Sequence, residues 1–412
     1  MSVAFARRTS WDLTINPYTQ ALEEHRNSGK QLLDLTASNP TTIGLHYDQE
    51  KLLQALSKPQ ALTYEPTPKG LLAAREAIAA YYAECGVRIS PEDLILTTST
   101  SEAYSFVFRL LCEPGDAVLV PTPSYPLFDF LADLQDVKLV QYELVYDHGW
   151  QMDFHSLEQA LSRHSQCSGF PESGASPARC KAVLVVHPNN PTGSFVKQQE
   201  ADSLLRLCAE SDLAIVSDEV FLDYSLNHAL EAASFGSRAD SKNEQVLTFA
   251  LSGLSKISGL PQMKVAWIAV TGPEELKREA LSRLEVIADT YLSMNAPLQW
   301  AIPEMLAERR NIQRQLMSRI RGNLAYFDRQ LGAQKVCSRL VVEGGWYVVL
   351  RVPATASDED LAIAILRPTG VLVQPGHFYD FARDGYLVVS LITPEEIFAD
   401  GINRLLRFLA ER

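Results

Sequence analysis

The thirteen residues SGLSKISGLPQMK (252–264) put two amines, Lys256 and Lys264, eight positions apart among small residues. Apolar runs flank them, VLTFAL before and VAWIAV after, so the segment joins two strands of buried type. An amine held there can capture an aldehyde or move a proton. The competing explanation is a pair of ordinary solvated charges, since lysine is rarely buried.

Other strand-like runs end in residues of comparable promise. Ligands of open α/β sheets bind outside the carboxyl ends of the strands, so those ends carry the argument. After LILTT come Ser99, Thr100, Ser101 and Glu102, opening a helix. These hydroxyls can cap the helix, or its free N–H groups can hold a phosphate. After AVLV, Tyr125 ends the turn PTPSY; it can pack as an ordinary aromatic or cover a planar ring. After KAVLVV comes HPNNPTG (187–193), a good turn sequence that also offers the amide of Asn190. After LAIVS, Asp218 and Glu219 offer a carboxylate that can hold a proton on a ring nitrogen. An amine, an acid for a ring nitrogen, an amide for a ring oxygen, a stacking aromatic and a phosphate cup together meet the needs of pyridoxal 5′-phosphate.

The elements that must position these residues are legible as alternating periodicities. LAAREAIAAYYAEC and SEAYSFVFRLLCEPG read as helices, and the near-continuous Val/Leu/Ile runs as strands buried on both faces of a mainly parallel sheet. EQALSRH and EADSLLRLCAES fit the crossover helices that parallel neighbours require. The predicted fold class is α/β: a large domain with a mainly parallel sheet sandwiched by helices, plus a smaller α+β domain formed by both chain ends. Boundaries are expected at 1–50 for an N-terminal arm, 51–285 for the large domain and 286–412 for the small one. A Ser/Gly/Pro-rich stretch at about 163–179 reads as an exposed loop.

Composition narrows the function. Among 412 residues, 37 Lys+Arg against 50 Asp+Glu give a net charge of −13, which argues against general affinity for nucleic acid or anionic membrane. The six cysteines are scattered, without C-x-x-C, and no H-E-x-x-H occurs, so no metal site and no disulfide framework is expected. No apolar run suits a secretory signal or a membrane span, and a cytoplasmic protein is expected.

With NNPTG, SDEV and SGLSKISGLPQMK in that order, the chain from about residue 30 onward resembles the fold-type I pyridoxal-phosphate enzymes, specifically the class I/II aminotransferases. The resemblance implies that Lys256 is the catalytic lysine that forms the Schiff base and shuttles the proton. It implies that Asp218 pairs with the ring nitrogen, Asn190 donates to the ring hydroxyl and Tyr125 stacks on the ring. Ser99, Thr100, Ser101, Ser255 and Lys264 would hold the phosphate, and Tyr64 would reach the neighbouring subunit's phosphate in a homodimer. The implied reaction moves an amino group from an amino acid or other amine to a 2-oxo acid in two half-reactions, with no nucleic-acid or membrane partner. A lyase or decarboxylase on the same scaffold is the alternative.

Four positions depart from the family's pattern. Lys264 stands for an arginine, losing the bidentate fork. Phe221 stands for a tyrosine that donates to the ring oxygen, which implies a raised Schiff-base pKa. Ser38 stands for a glycine. Val388 stands for the arginine that clamps the substrate α-carboxylate, leaving Arg351, Arg367 and Arg383 as the nearby candidates to replace it.

Overall fold

The computed structural model describes residues 5–126, 128–166, 179–226, 233–237 and 246–412. Of the Ser/Gly/Pro-rich stretch expected as a loop at about 163–179, residues 163–166 instead close the helix Phe154–Gln166, and residues 167–178 lie outside those described.

The central sheet has eight strands: β2 (Leu94–Thr97), β3 (Ala117–Thr122), β4 (Lys138–Tyr146), β5 (Trp150–Met152), β6 (Cys180–Val186), β7 (Ala214–Asp218), β8 (Thr248–Gly253) and β9 (Ala266–Thr271). Their spatial order is β2-β9-β8-β7-β6-β3-β4-β5. From β4 through β8 the neighbours β4-β3-β6-β7-β8 pair parallel, while β9 is antiparallel to both β8 and β2, and β5 to β4. Because successive side chains alternate faces, one continuous apolar run serves two cores. Ala182, Leu184 and Val186 of β6 pack with Phe106, Phe108 and Leu284 on one face. Val183 and Val185 pack with Leu157, Leu204 and Cys208 on the other.

The covering helices are α4 (Thr100–Leu111), α5 (Phe128–Leu134), α6 (Phe154–Gln166) and α7 (Gln198–Glu210), the last two being the expected crossovers, and α9 (Glu274–Tyr291), which leads out of the sheet after β9. Two further helices, α2 (Gln49–Leu56) and α3 (Leu72–Glu84), pack on the long helix α10 (Ala296–Gly332). Asn295 caps α10 by accepting from the Leu298 N–H at 3.1 Å, which fixes where this helix starts.

The smaller unit is a four-stranded sheet in the order β10 (Ser338–Arg339), β11 (Tyr347–Arg351), β14 (Tyr386–Ser390), β13 (Gln374–Pro375). Helices α1 (Pro17–Asn27), α11 (Asp358–Thr369) and α12 (Glu395–Glu411) cover it. Both chain ends build it. Leu33 and Asp34 of β1 (Leu33–Asp34) pair in parallel with Val371 and Leu372 of β12 (Val371–Leu372), and Leu33, Leu35, Trp346, Leu387 and Leu405 share one core. The α/β class and the two-unit architecture expected from the sequence are therefore found.

Candidate active site

Strands β2, β3, β6, β7 and β8 all end at one edge of the large sheet, and the residues after them surround a cavity of about 250 Å³. Lys256 enters from α8 (Leu254–Ile257), a single turn directly after β8. Its backbone is fixed from outside. The Tyr224 hydroxyl donates to the Lys256 carbonyl at 2.6 Å, the Gln313 amide to the Ile257 carbonyl at 2.9 Å, and the Ser258 hydroxyl to the Met305 carbonyl at 2.9 Å. The Lys256 Nζ lies 4.7 Å from the Trp346 ring centre and 5.4 Å from that of Phe221.

The two charged groups of the cavity are shifted toward one another. Burial lowers the Lys256 amine to about 8, opposed by the Asp218 charge. Burial raises the Asp218 carboxyl to about 6, opposed by the Val220 N–H, the Tyr104 hydroxyl and Lys256. Asp218 is 8% exposed; its Oδ2 accepts from Tyr104 at 2.9 Å and its Oδ1 from the Val220 N–H at 3.2 Å. Near neutral pH the amine is poised close to titration and the acid is ionised. Such a combination is expected where an amine must act as both nucleophile and proton carrier.

The NNPTG turn divides its work between two asparagines. Asn189 holds the loop together, its Oδ1 accepting from the Thr192 hydroxyl at 2.9 Å. Asn190 lines the cavity, and its Oδ1 is buried with no hydrogen-bond partner among the described residues. The final glycine is required by geometry: Gly193 has φ +70°, and a Cβ there would lie 2.5 Å from the Gly344 carbonyl oxygen. Through that contact the turn docks on the smaller unit, with the Gly344 N–H donating to the Gly193 carbonyl at 2.9 Å. In the neighbouring SDEV, Glu219 turns away from Asp218 and accepts from the Ser217 hydroxyl and the Phe235 N–H.

Thr100, Ser101, Tyr125 and Ser255 also line the cavity. Ser99 instead caps α4, its hydroxyl accepting from the Glu102 N–H at 3.1 Å, which leaves the first-turn N–H groups of Thr100 and Ser101 at the cavity. The Lys264 and Tyr64 side chains are elsewhere. Lys264 is exposed in a left-handed conformation at φ +51°, and Tyr64 is 79% exposed on the wall of a separate recess.

The departures are located as well. Phe221 and Ser38 line the cavity. Val388 is fully buried in β14 opposite Gln374 of β13. The candidate arginines are away from the lining: Arg351 sits over the Tyr146 ring, Arg367 is exposed near Glu24, and Arg383 donates to the Tyr386 hydroxyl.

Sequence reasoning missed Tyr104, Tyr347, Gln374 and Tyr379, all of which line the cavity. Tyr104 lies three residues after Ser101 on the same helix, so it shares that residue's face and could have been found. The other three come from the smaller unit, and nothing local marks them.

A family model described as aminotransferase class I and II matches residues 12–398. The chain belongs to the class I and II aminotransferases. A glutamate-pyruvate aminotransferase of Haemophilus influenzae is 25% identical over 406 residues, covering 93% of this chain and 92% of its own. An aspartate/prephenate aminotransferase of Thermus thermophilus is 27% identical over 393 residues, covering 94% and 93%. Among solved structures, an alanine aminotransferase of Pyrococcus furiosus superposes with a TM-score of 0.85 at 23% identity, covering 99% of this chain and all of that one, which bears on the fold. Among the described residues no helix is long and apolar enough to cross a membrane.

Aminotransferases of this family work with pyridoxal 5′-phosphate, and the residues present fit that group. The unanswered Oδ1 marks the Asn190 amide as available to a ligand, Asp218 is an ionised acid in an apolar setting, and α4 presents free N–H groups. This aminotransferase therefore gathers in one cavity an amine, a carboxylate, an amide, an aromatic ring and helix N–H groups of the kinds that such a cofactor engages.

Proposed function

We propose that the chain moves an amino group from an amino acid or other amine to a 2-oxo acid by a ping-pong cycle on pyridoxal 5′-phosphate, with Lys256 as its catalytic residue. Membership of the family makes the reaction amino-group transfer rather than the lyase or decarboxylase alternative. The bound cofactor supplies an aldehyde for covalent capture of the amine and a protonated ring that withdraws electrons from the adjacent carbon.

The residues then have the following work. With the cofactor bound, Lys256 Nζ would be the amine that holds it through its aldehyde and, when free, would carry the substrate's proton. At about pH 7.5 a pKa of about 8 leaves roughly a quarter of the amine unprotonated, against about 0.1% at the ordinary value of 10.5. Asp218 keeps the proton on the ring nitrogen, and Tyr104 holds Asp218. Asn190 would bind the ring oxygen, and Tyr125 would stack on the ring. The N–H groups and hydroxyls of Thr100 and Ser101, with Ser255, receive the phosphate, while Ser99 shapes that turn. Lys264, which the resemblance makes a phosphate ligand, is exposed and off the cavity lining in the single chain. Tyr64, exposed in the single chain, reaches a partner's phosphate in a homodimer. The domain limits at 50/51 and 285/286 and a cytoplasmic location belong to the same reading. The scattered cysteines, of which Cys85, Cys112, Cys180, Cys208 and Cys337 are unpaired, suit a reducing compartment.

The observation that carries this reading is the Lys256–Asp218 pair, displaced toward neutral pH within one cavity. Its test is reconstitution with the cofactor, borohydride reduction and peptide mass analysis. The expected result is one cofactor fixed on Lys256 and none in Lys256→Ala; fixation on another lysine would overturn the assignment.

A further inference from the structure

The smaller unit and the N-terminal arm contribute Ser38, Tyr347, Gln374 and Tyr379 to the cavity wall, and all four are neutral. Among the described residues, Lys256 is the only lysine or arginine on the lining. The register explains why no other cation is there. Tyr347 pairs with Ser390 and Val349 with Val388, while Gln374 pairs with Val388 on the other side of β14. Paired and alternate residues share a face, so Val388 is on the face that carries Tyr347 and Gln374, where it offers only methyl groups. A further arginine near this end, Arg319, is engaged by the Ile43 and Ile392 carbonyls.

The neutral groups are themselves organised. The Tyr379 hydroxyl donates to Gln374 Oε1, which leaves the Gln374 amide N–H groups as donors. Ser38 and Tyr347 add hydroxyls to the same lining. Burial raises both tyrosines, so their hydroxyls stay protonated. An ionised carboxylate moved here would leave water without gaining a counter-ion, because the one cation of the described lining, Lys256, must be unprotonated to take the substrate's proton. A carboxamide or hydroxyl would find the same donors and acceptors without that desolvation cost.

We propose that the amine donor carries a neutral hydrogen-bonding group, a carboxamide or hydroxyl, where an α-amino acid carries its ionised carboxylate. This rests on the reading of the cavity as the cofactor and substrate site. The exchange balances over the two half-reactions. The donor carbon gives up its amino group and one hydrogen and takes a carbonyl oxygen, while the acceptor's carbonyl carbon undergoes the reverse. No further oxidant or reductant is needed, and the donor leaves as a neutral aldehyde, ketone or oxo-amide.

The test is the single-turnover amino half-reaction of the reconstituted holoenzyme, followed by its visible spectrum, with L-alanine, L-alaninamide and L-alaninol as probes. Cofactor fixation on Lys256 is checked first. Without it the reading of the site fails and the inference falls with it; with it, the probes judge the inference alone. The expected result is that alaninamide or alaninol reacts at least about tenfold faster than alanine, as kcat/KM. Gln374→Leu should reduce that ratio about tenfold, and Gln374→Arg should turn it toward alanine, in protein that still fixes the cofactor. Faster reaction of alanine, reaction of no probe, or a ratio unmoved by both substitutions would overturn the proposal.

Discussion

Asp218→Asn should make the cofactor-free protein more stable while weakening its hold on the cofactor. The carboxyl rises from 3.8 to about 6 on folding, chiefly through burial. That rise corresponds to a penalty of about 3 kcal/mol on the ionised form. Because the folded value lies above the unfolded one, the penalty is absent when both states are protonated. It grows as pH climbs from 3.8 to about 6 and is complete above that range. Linkage puts it at about 1.6 kcal/mol near pH 5 and about 3 kcal/mol near pH 7.5.

Asparagine removes the charge and keeps the shape. Its oxygen can still accept from the Val220 N–H, and its amide can donate to the Tyr104 hydroxyl in place of the bond now at 2.9 Å. Lys256 loses the charge that opposed its burial shift, so its amine moves further below about 8 and is neutral at the working pH. No charge is stranded. Urea unfolding of the cofactor-free variants should therefore show Asp218→Asn ahead of the parent near pH 7.5, with the advantage shrinking by about 1.4 kcal/mol near pH 5. Added cofactor should stabilise the parent more than the variant, reversing the order. A variant less stable than the parent near pH 7.5, or an advantage that does not shrink on acidification, would refute the buried-charge argument.

Tyr104→Phe removes a neutral donor from a charged acceptor, an interaction of about 1.5 kcal/mol, so a fluorescence titration should find cofactor affinity lower by about tenfold. Asp218 should also titrate above about 6 in that variant, since the lost bond was lowering it. Phe221→Tyr should lower the pKa of the holoenzyme's visible absorbance by about one unit, as a donor to the ionised form does; an unchanged pKa would mean the new hydroxyl misses the ring oxygen. Gly193→Ala forces a Cβ to 2.5 Å from the Gly344 carbonyl at φ +70°, so thermal unfolding should show a loss of at least about 2 kcal/mol.

What the sequence made legible and what it withheld have different physical origins. Asp218 closes a buried strand, and Lys256, Asn190 and Tyr125 lie within four residues of the end of one, so a local pattern, an apolar run and then a polar residue, places each at the same sheet edge. Tyr347, Gln374 and Tyr379 reach the cavity only because the smaller unit docks over it, and docking is a property of the assembled fold. Gln374 illustrates this: its strand is two residues long, and what puts it beside Val388 is a ladder to a segment more than ten positions later. Ser99 shows a different ambiguity. One hydroxyl before a helix can cap the helix or meet an anion, and the structure has it accepting from the Glu102 N–H, while its neighbours keep their own N–H groups for the cavity.

The division has a consequence for how this enzyme sets its specificity. The half of the cavity readable from strand ends contains what the cofactor needs, and any substrate of the family demands those groups. On the proposed reading, the half supplied by the smaller unit, with Tyr347, Gln374 and Tyr379 on its wall, receives the substrate's other substituents. On that wall no lysine or arginine is present among the described residues: valine occupies β14 and glutamine β13 on the face that carries Tyr347. Chemistry and selectivity are thus carried by separate parts of the chain. Substitutions at Gln374 should change which amine reacts while leaving cofactor fixation on Lys256 intact, whereas substitutions at Asp218 should weaken cofactor binding for every amine alike.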